Sequence, residues 1–402
     1  MAGQVTPLQR ALVCIQEKKH FLLQGGAGSG KTETLSQLIK ILTNTAPALK
    51  VACITHTNKA AEEIKSRVPA DHYVGTIHAF LNMTCGKYKK NLHLHIWKIF
   101  SVQKIIRKPV SDYSDEKKHR LEEHDRFKKF YKKFSSMYFT IHSIRIDPPP
   151  GKKIYDVDFE RINIELNELI DTLNTEIRSK IEARNWQEVS YNNTRFNNFR
   201  EMSFGHDGLL ALSVELFKEY PLMGKIITDK FDCIFVDEFQ DTKPEIVDVL
   251  VHLPRIKTTV GFFGDSMQSI YSNGVGDIER FVKDEKLLKI EKEDNYRCSE
   301  QVVSFINQLR YDGLKQKVAY KTIGGKIESI DDRQGTVCLY YAIYKNKPNV
   351  YSSREDKDNY EHALNLLITQ AMHKTEESKT LLLSNKAIAS KGLFTNIFRP
   401  IS

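Results

Sequence analysis

The stretch that most constrains this chain is Gln24-Gly25-Gly26-Ala27-Gly28-Ser29-Gly30-Lys31-Thr32. From Gly25 it fits G-x-x-x-x-G-K-[ST], in which glycines let backbone N–H groups wrap a polyphosphate, a lysine reaches the terminal phosphates and a hydroxyl holds Mg²⁺. Its flanks agree. Phe21-Leu22-Leu23 is a short apolar run of the kind that makes a buried strand, and Leu35, Leu38, Ile39 and Leu42 recur at helical spacing after Thr32. Strand, glycine loop and helix start in that order aim the positive end of a helix dipole at the phosphates. Gly25, Gly26, Ala27, Gly28, Ser29, Gly30, Lys31 and Thr32 are therefore candidate phosphate-binding residues in an α/β fold, Thr32 doubling as a candidate metal ligand.

A second half of such a site is expected at the carboxyl end of another strand. Phe231-Asp232-Cys233-Ile234-Phe235-Val236-Asp237-Glu238 is an apolar run ending in two acids. Asp237 would share the metal with Thr32, and Glu238 would orient and deprotonate an attacking water. The run from Thr258 to Phe263 predicts one more strand, leading into Gly264-Asp265-Ser266-Met267-Gln268-Ser269-Ile270-Tyr271, where Gln268 could register a γ-phosphate. Asp294-Asn295-Tyr296-Arg297 precedes a helix containing Val302, Val303, Phe305 and Ile306. Upstream, Thr6-Pro7-Leu8-Gln9 reads as a helix start. Gln9 could offer its amide to the two edges of adenine, although taken alone such a glutamine is more often simply solvated.

At 402 residues the chain has room for two or three domains. The net charge of +9 points to an anionic partner without identifying it. There is no run of eighteen apolar residues, and the first residues lack both the basic and the apolar regions of a signal peptide, which predicts a cytoplasmic protein with no membrane partner. The six cysteines include no C-x-x-C pair, and neither a zinc site nor a disulfide framework is indicated. Charge is concentrated between Gly86 and Arg145, with sixteen Lys and Arg against six Asp and Glu. Trp97, Phe127, Phe130, Tyr131 and Phe134 are interleaved there, a mixture suited to a single strand with phosphates outside and bases free to stack. The plainer reading is an amphipathic helix with aromatics in the core and lysines in water. Asp147-Pro148-Pro149-Pro150-Gly151 predicts a turn, Phe159 to Arg184 a long helix, and the remainder strands near Val337–Ile343 and Thr380–Leu383 with a helix from about Glu361 to His373 between them.

The phosphate loop, Val236-Asp237-Glu238-Phe239-Gln240-Asp241-Thr242, the Gly-Asp-x-x-Gln-Ser-Ile-Tyr of 264–271 and Asn295-Tyr296-Arg297, in this order, resemble the UvrD/Rep/PcrA family of superfamily 1 DNA helicases. The resemblance implies two RecA-like P-loop NTPase domains with ATP and Mg²⁺ in the cleft, each carrying a helical insert. Residues 1–82 and 205–285 would form domain 1A, 83–204 its basic helical insert 1B, and 286–402 part of the second domain, 2A. Gln9 would read adenine and Tyr296 stack on it; Lys31, Thr32, Asp237 and Glu238 would keep their roles; Gln268 would couple the γ-phosphate to domain movement; Arg297 would stabilise transition-state charge. Asn58, Thr76 and His78 fall where the family touches single-stranded DNA.

There are departures. His56 stands where the family has an aromatic, Asn273, Gly274 and Val275 where it usually has Trp-Arg-Gly, and Glu33 where an arginine is often found. The two stacking positions are worth about 1–3 kcal/mol per base. The later motifs, Val-His-x-x-Lys-Gly-Leu-Glu and Tyr-Val-x-x-Thr-Arg-Ala, do not appear; Ala389-Ser390-Lys391-Gly392-Leu393-Phe394 looks like a fragment of the first, but it lacks the His and Glu and follows a strand better matched to the preceding motif, so it reads as a decoy. Either the chain is truncated or a partner completes it. The expected function is a DNA-dependent ATPase or helicase acting on single-stranded or tailed double-stranded DNA, in repair or antiviral defence. The alternative is an ATP- and DNA-sensing regulatory subunit of a nuclease complex of the anti-phage type. A kinase or NTPase that never meets nucleic acid would lack the salt-sensitive DNA binding that Arg126, Lys128, Lys129, Lys132 and Lys133 predict.

Overall fold

The computed structural model describes residues 5–102, 104, 159–253, 258–269, 278–320 and shorter pieces up to Met372. Six short strands build one sheet: β1 (Phe21–Gly25), β2 (Val51–Thr55), β3 (Tyr73–Thr76), β4 (Cys233–Asp237), β5 (Thr259–Gly264) and β6 (Leu288–Lys292). Their order is β3-β2-β4-β5-β1-β6, and every pairing is parallel. The first five strands are continuous apolar runs because both faces of the sheet are covered by helices.

Successive side chains alternate between two cores. On one face Phe21, Leu23, Phe235, Phe263 and Ile290 meet α1 (Pro7–Gln16), α2 (Lys31–Thr45) and α3 (Asn58–Lys65), through Ala11, Leu35, Leu38, Ile39 and Ile64. On the other, Leu22, Ile54, Ile234, Val236 and Phe262 meet α4 (Ile77–Cys85), α5 (Lys89–Phe100), α6 (Phe159–Glu182), α7 (His206–Glu219), α8 (Leu222–Lys230), α9 (Pro244–Val251) and α10 (Glu279–Lys283). Ile170 and Leu173, from the apolar side expected for the long helix, are buried with Ile177 and Ile181.

The residues from Tyr73 to Phe80 divide between a strand and a helix. β3 ends at Thr76, whose hydroxyl accepts from Ala79 N at 3.2 Å and so caps α4. After β6 comes α11 (Glu300–Leu309), capped by Ser299. Residues 1–333 form one compact unit and 334–402 a second. In the second, residues 337–341 are irregular where a strand was expected: Val337, Leu339 and Tyr341 are exposed, and an apolar run without burial does not hold a strand. α12 (Arg354–Met372) starts seven residues ahead of the expected Glu361, because Ser353 Oγ accepts from Asp356 N at 3.1 Å and sets its first turn. Several expectations lie outside the described residues: the run Arg126–Phe134, the turn at 147–151, Asn273 to Val275, the strand at 380–383 and the fragment at 389–394. Among the described residues no helix is long and apolar enough to cross a membrane.

The sheet centre leaves no spare volume. Gly261 is in register with Phe21, and a Cβ there would lie 2.4 Å from the Phe21 ring. That ring cannot yield, being fully buried with Phe235 and Phe263 at centroid separations of 6.3 and 5.7 Å. Gly261→Ala is expected to cost about 1–3 kcal/mol through overpacking, measured as a lower denaturant midpoint with an unchanged slope.

Candidate nucleotide-binding site

Parallel pairing brings the carboxyl ends of β1, β4 and β5 to one edge, and the site stands there. The loop after β1 turns through Gly28 and Gly30, with φ of +79° and +76°, a left-handed conformation glycine adopts freely. Gly30 caps α2, so Lys31 opens the helix. Lys31 is buried, and its ammonium donates to Gly25 O at 2.9 Å and Gly26 O at 3.4 Å. Burial holds its pKa below the ordinary lysine value, opposed by the charges of Glu238, Asp265 and Asp237.

Thr32 Oγ1 donates to Asp237 Oδ2 at 3.3 Å, joining residues 205 apart in sequence. Asp237 closes β4, and burial pushes its carboxyl up to about 7, with the charge of Glu238 adding to the effect. Asp237 Oδ1 and Ser29 Oγ are buried without a hydrogen-bond partner. Buried polar atoms are normally satisfied, which makes these two candidate contacts for a ligand's groups. An acid aimed at the threonine hydroxyl, a lysine at the loop and a left-handed glycine cradle together fit Mg²⁺ and a polyphosphate.

Glu238 follows with φ +53° and ψ +49°, unusual for a residue other than glycine. Such outliers cost about 1–3 kcal/mol and collect at functional sites. Its Oε2 accepts from Gln240 Nε2 at 2.6 Å, while Gln240 Oε1 accepts from Asp265 N at 3.1 Å. Gln240 thus ties the end of β4 to the turn after β5. In that turn Gln268 Nε2 donates to Asp265 Oδ2 at 2.7 Å.

Tyr296 and Arg297 meet the loop mainly through backbone. Tyr296 N donates to Gly28 O at 2.8 Å, and a Cβ on Gly28 would lie 2.8 Å from Arg297 Cβ. The Arg297 side chain is exposed; Lys292 Nζ lies 5.5 Å from the Tyr296 ring centroid. Gln9 is exposed in the first turn of α1 and closes a capping box: Thr6 N donates to Gln9 Oε1 at 2.8 Å and Gln9 N to Thr6 Oγ1 at 3.2 Å. The cap fixes the rotamer of the amide and uses one of its carbonyl lone pairs.

Sequence reasoning missed the residues that lock the loop. Asn295, fully buried, donates to Ala27 O at 2.9 Å and accepts from Arg297 N and Cys298 N at 3.0 and 2.9 Å. Gln316 also donates to Ala27 O, at 3.2 Å. Asn295 stood inside a recognised triplet and could have been flagged by its polarity; nothing in the sequence around Gln316 marks it.

Along the same edge β2 and β3 run in register, Thr55 beside Thr76, and the helices that follow them start side by side. Asn58 opens α3 behind the capping hydroxyl of Thr57, and Thr76 caps α4. Paired helix N-termini favour an anion. His78, one residue into α4, lies 4.5 Å from the His206 ring centroid, and His206 Nδ1 is 2.6 Å from the Tyr191 hydroxyl. Trp97 is half-buried under the Arg178 guanidinium, 5.2 Å from its ring centroid, which places it between α5 and α6.

Residues 5–289 match the UvrD/REP helicase N-terminal domain. The chain belongs to the UvrD/REP helicase family. Among its relatives is Gabija protein GajB of Bacillus cereus, 27% identical over 96% of this chain and 57% of that protein. DNA helicase II of Haemophilus influenzae is 25% identical over 75% of this chain and 39% of its own. ATP-dependent DNA helicase PcrA of Staphylococcus aureus is 24% identical over 82% and 44%. The chain therefore spans about half the length of the curated relatives it matches.

Burial, with the nearby His206 and His56, lowers the His78 pKa from 6.5 to about 4. The unfolded chain then takes up this proton first, so the histidine's contribution to stability is full above pH 6.5 and is lost as the pH falls towards 4. His78→Gln is expected to flatten that part of the fall in melting temperature, measured by thermal unfolding across this window.

Proposed function

We propose that this UvrD-family chain is a DNA-dependent ATPase, and that its two-part site hydrolyses ATP to drive movement on, or remodelling of, single-stranded or tailed double-stranded DNA. The observation that carries the reading is the Thr32 to Asp237 hydrogen bond, which joins the glycine loop to the acid pair in a buried setting. Thr32 and Asp237 would hold Mg²⁺, which supplies charge neutralisation at the phosphates. Gly25 to Gly30 wrap the triphosphate and Lys31 moves from the loop carbonyls onto it. Gln9 and Tyr296 take the base. Glu238, aimed by its left-handed backbone and held by Gln240, orients the water and removes its proton. Gln268 leaves Asp265 to register the γ-phosphate, and Arg297 stabilises the charge that develops. Residues 1–82 and 205–285, which the sheet extends through β6 to Lys292, serve as domain 1A, 83–204 as a helical insert and the residues after β6 as part of a second RecA-like domain. Asn58, Thr76 and His78 border the DNA.

A second reading is an ATP- and DNA-sensing subunit that regulates a nuclease partner in anti-phage defence. The likeness to Gabija protein GajB along nearly the whole chain favours it, as does His56 at a position where the family stacks a base. Failure to unwind a tailed duplex alone, with co-purification of a nuclease, would select this reading over a motor.

ATP turnover should rise on adding single-stranded DNA and the stimulation should fall steeply with salt; an intact preparation without stimulation overturns the proposal. Glu238→Gln should keep ATP affinity and lower turnover by about 10²–10⁴-fold, the usual worth of a general base. Equilibrium binding and steady-state hydrolysis on the same preparation separate the two effects.

A further inference from the structure

A buried charge network links the Gln268 turn to a segment that no motif covers. The Arg310 guanidinium donates to Asp265 Oδ2 and Oδ1 at 2.9 and 2.8 Å, and to Asp312 Oδ1 and Oδ2 at 3.0 and 2.5 Å. The side chains of Arg310, Asp265 and Asp312 are 5%, 1% and 10% exposed. Asp265 Oδ2 is the same oxygen that accepts from Gln268 Nε2, and Asp265 Oδ1 caps the turn through Met267 N at 3.2 Å. Gln24, immediately before the phosphate loop, completes the ring: its Nε2 donates to Asp312 Oδ2 at 2.7 Å and to Ser266 Oγ at 3.1 Å. Arg310 thus touches neither the loop nor Glu238, yet its fork fixes the carboxylate on which Gln268 rests.

We propose that Arg310 is a positioning residue for Gln268: by clamping Asp265 against Asp312 it sets how readily the Gln268 amide leaves Asp265, and so how strongly the site distinguishes ATP from ADP. The inference rests on the reading of Gln268 given above. Two donors share one oxygen, so the Arg310 N–H bond to Asp265 Oδ2 weakens the hold on Gln268. A second tie, Arg310 to Asp312 and Gln24, keeps the turn in register with β1. A bidentate guanidinium is needed for both ties at once; lysine keeps the charge and loses the fork.

The test is equilibrium binding of fluorescent ADP and a fluorescent non-hydrolysable ATP analogue to the full chain, so that no turnover is required. Gln268→Ala should lower the preference for the ATP analogue. Arg310→Lys should lower it by about fivefold or more, the lower end of coupling between linked groups, with ADP affinity kept, and should add little in the Gln268→Ala background. If Gln268→Ala leaves the preference unchanged, the reading of Gln268 fails and the inference with it. If Gln268→Ala lowers the preference while Arg310→Lys does not, or weakens both nucleotides alike, the inference alone is overturned. Should Arg310→Lys fail to fold, Asp312→Asn decides, because it removes the carboxylate charge against which Asp265 is clamped: a changed preference with ADP affinity kept supports the clamp, and an unchanged one rejects it.

Discussion

Parallel pairing of β4, β5 and β1 is the constraint on which the site depends. Parallel strands all end at the same edge, so the glycine loop, Asp237 and Asp265 meet although they lie far apart in sequence. The core enforces that register. Phe21, Phe235 and Phe263 come from the three strands and pack edge to face or tilted around one another, and Gly261 leaves room for the first of them. A slip of one residue in β1 would exchange Phe21 and Leu23 with Leu22 between two packed cores. The phosphate loop is thus positioned by packing beneath it and by the side chains on its carbonyls, while Ser29 Oγ is left without a partner.

Electrostatics at that edge runs to excess negative charge. Asp237 and Glu238 face one lysine, and Asp265 and Asp312 share one arginine. Removing a charge from water costs more than a single partner returns unless the geometry is complete. The Arg310 pair meets that condition, with four charge-assisted hydrogen bonds, and Asp265 accordingly lies below the usual carboxylate range despite the upward push of its burial. Asp237 has Thr32, the Glu238 backbone and a lysine turned towards loop carbonyls, and it still lies high. The same edge therefore holds one acid whose charge is satisfied by protein and one whose charge is not, and the second is the acid that the proposed function assigns to a cation.

Much of this was legible in the residues. The strand, loop and helix around Lys31, the acids closing β4 and the glutamine turn after β5 each follow from apolar runs punctuated by glycine or acid, and the fold places all three at one edge. What was not legible is pairwise and long-range. Nothing local to Arg310, Asp312 or Gln316 shows that they turn inward, because a short polar run after a helix reads as a solvated loop until its partners at Asp265, Gln24 and Ala27 are known. The backbone of Glu238 was hidden for another reason: its left-handed turn is imposed by the strand end and the following short helix against preference, and propensity cannot report a strain that tertiary structure imposes. At residues 337–341 the sequence misleads the other way, since an apolar run makes a strand only where a face is packed.

The described residues also separate two kinds of helix N-terminus. That of α2 is a glycine with a left-handed backbone and no side-chain cap, so its N–H groups are left for the ligand. Those of α3 and α4 are closed by Thr57 and Thr76, each taking up one N–H, and leave only part of their dipole to act on an anion. Under the proposed function this difference would suit a nucleotide held in one alignment at α2 and a DNA backbone held more loosely at α3 and α4.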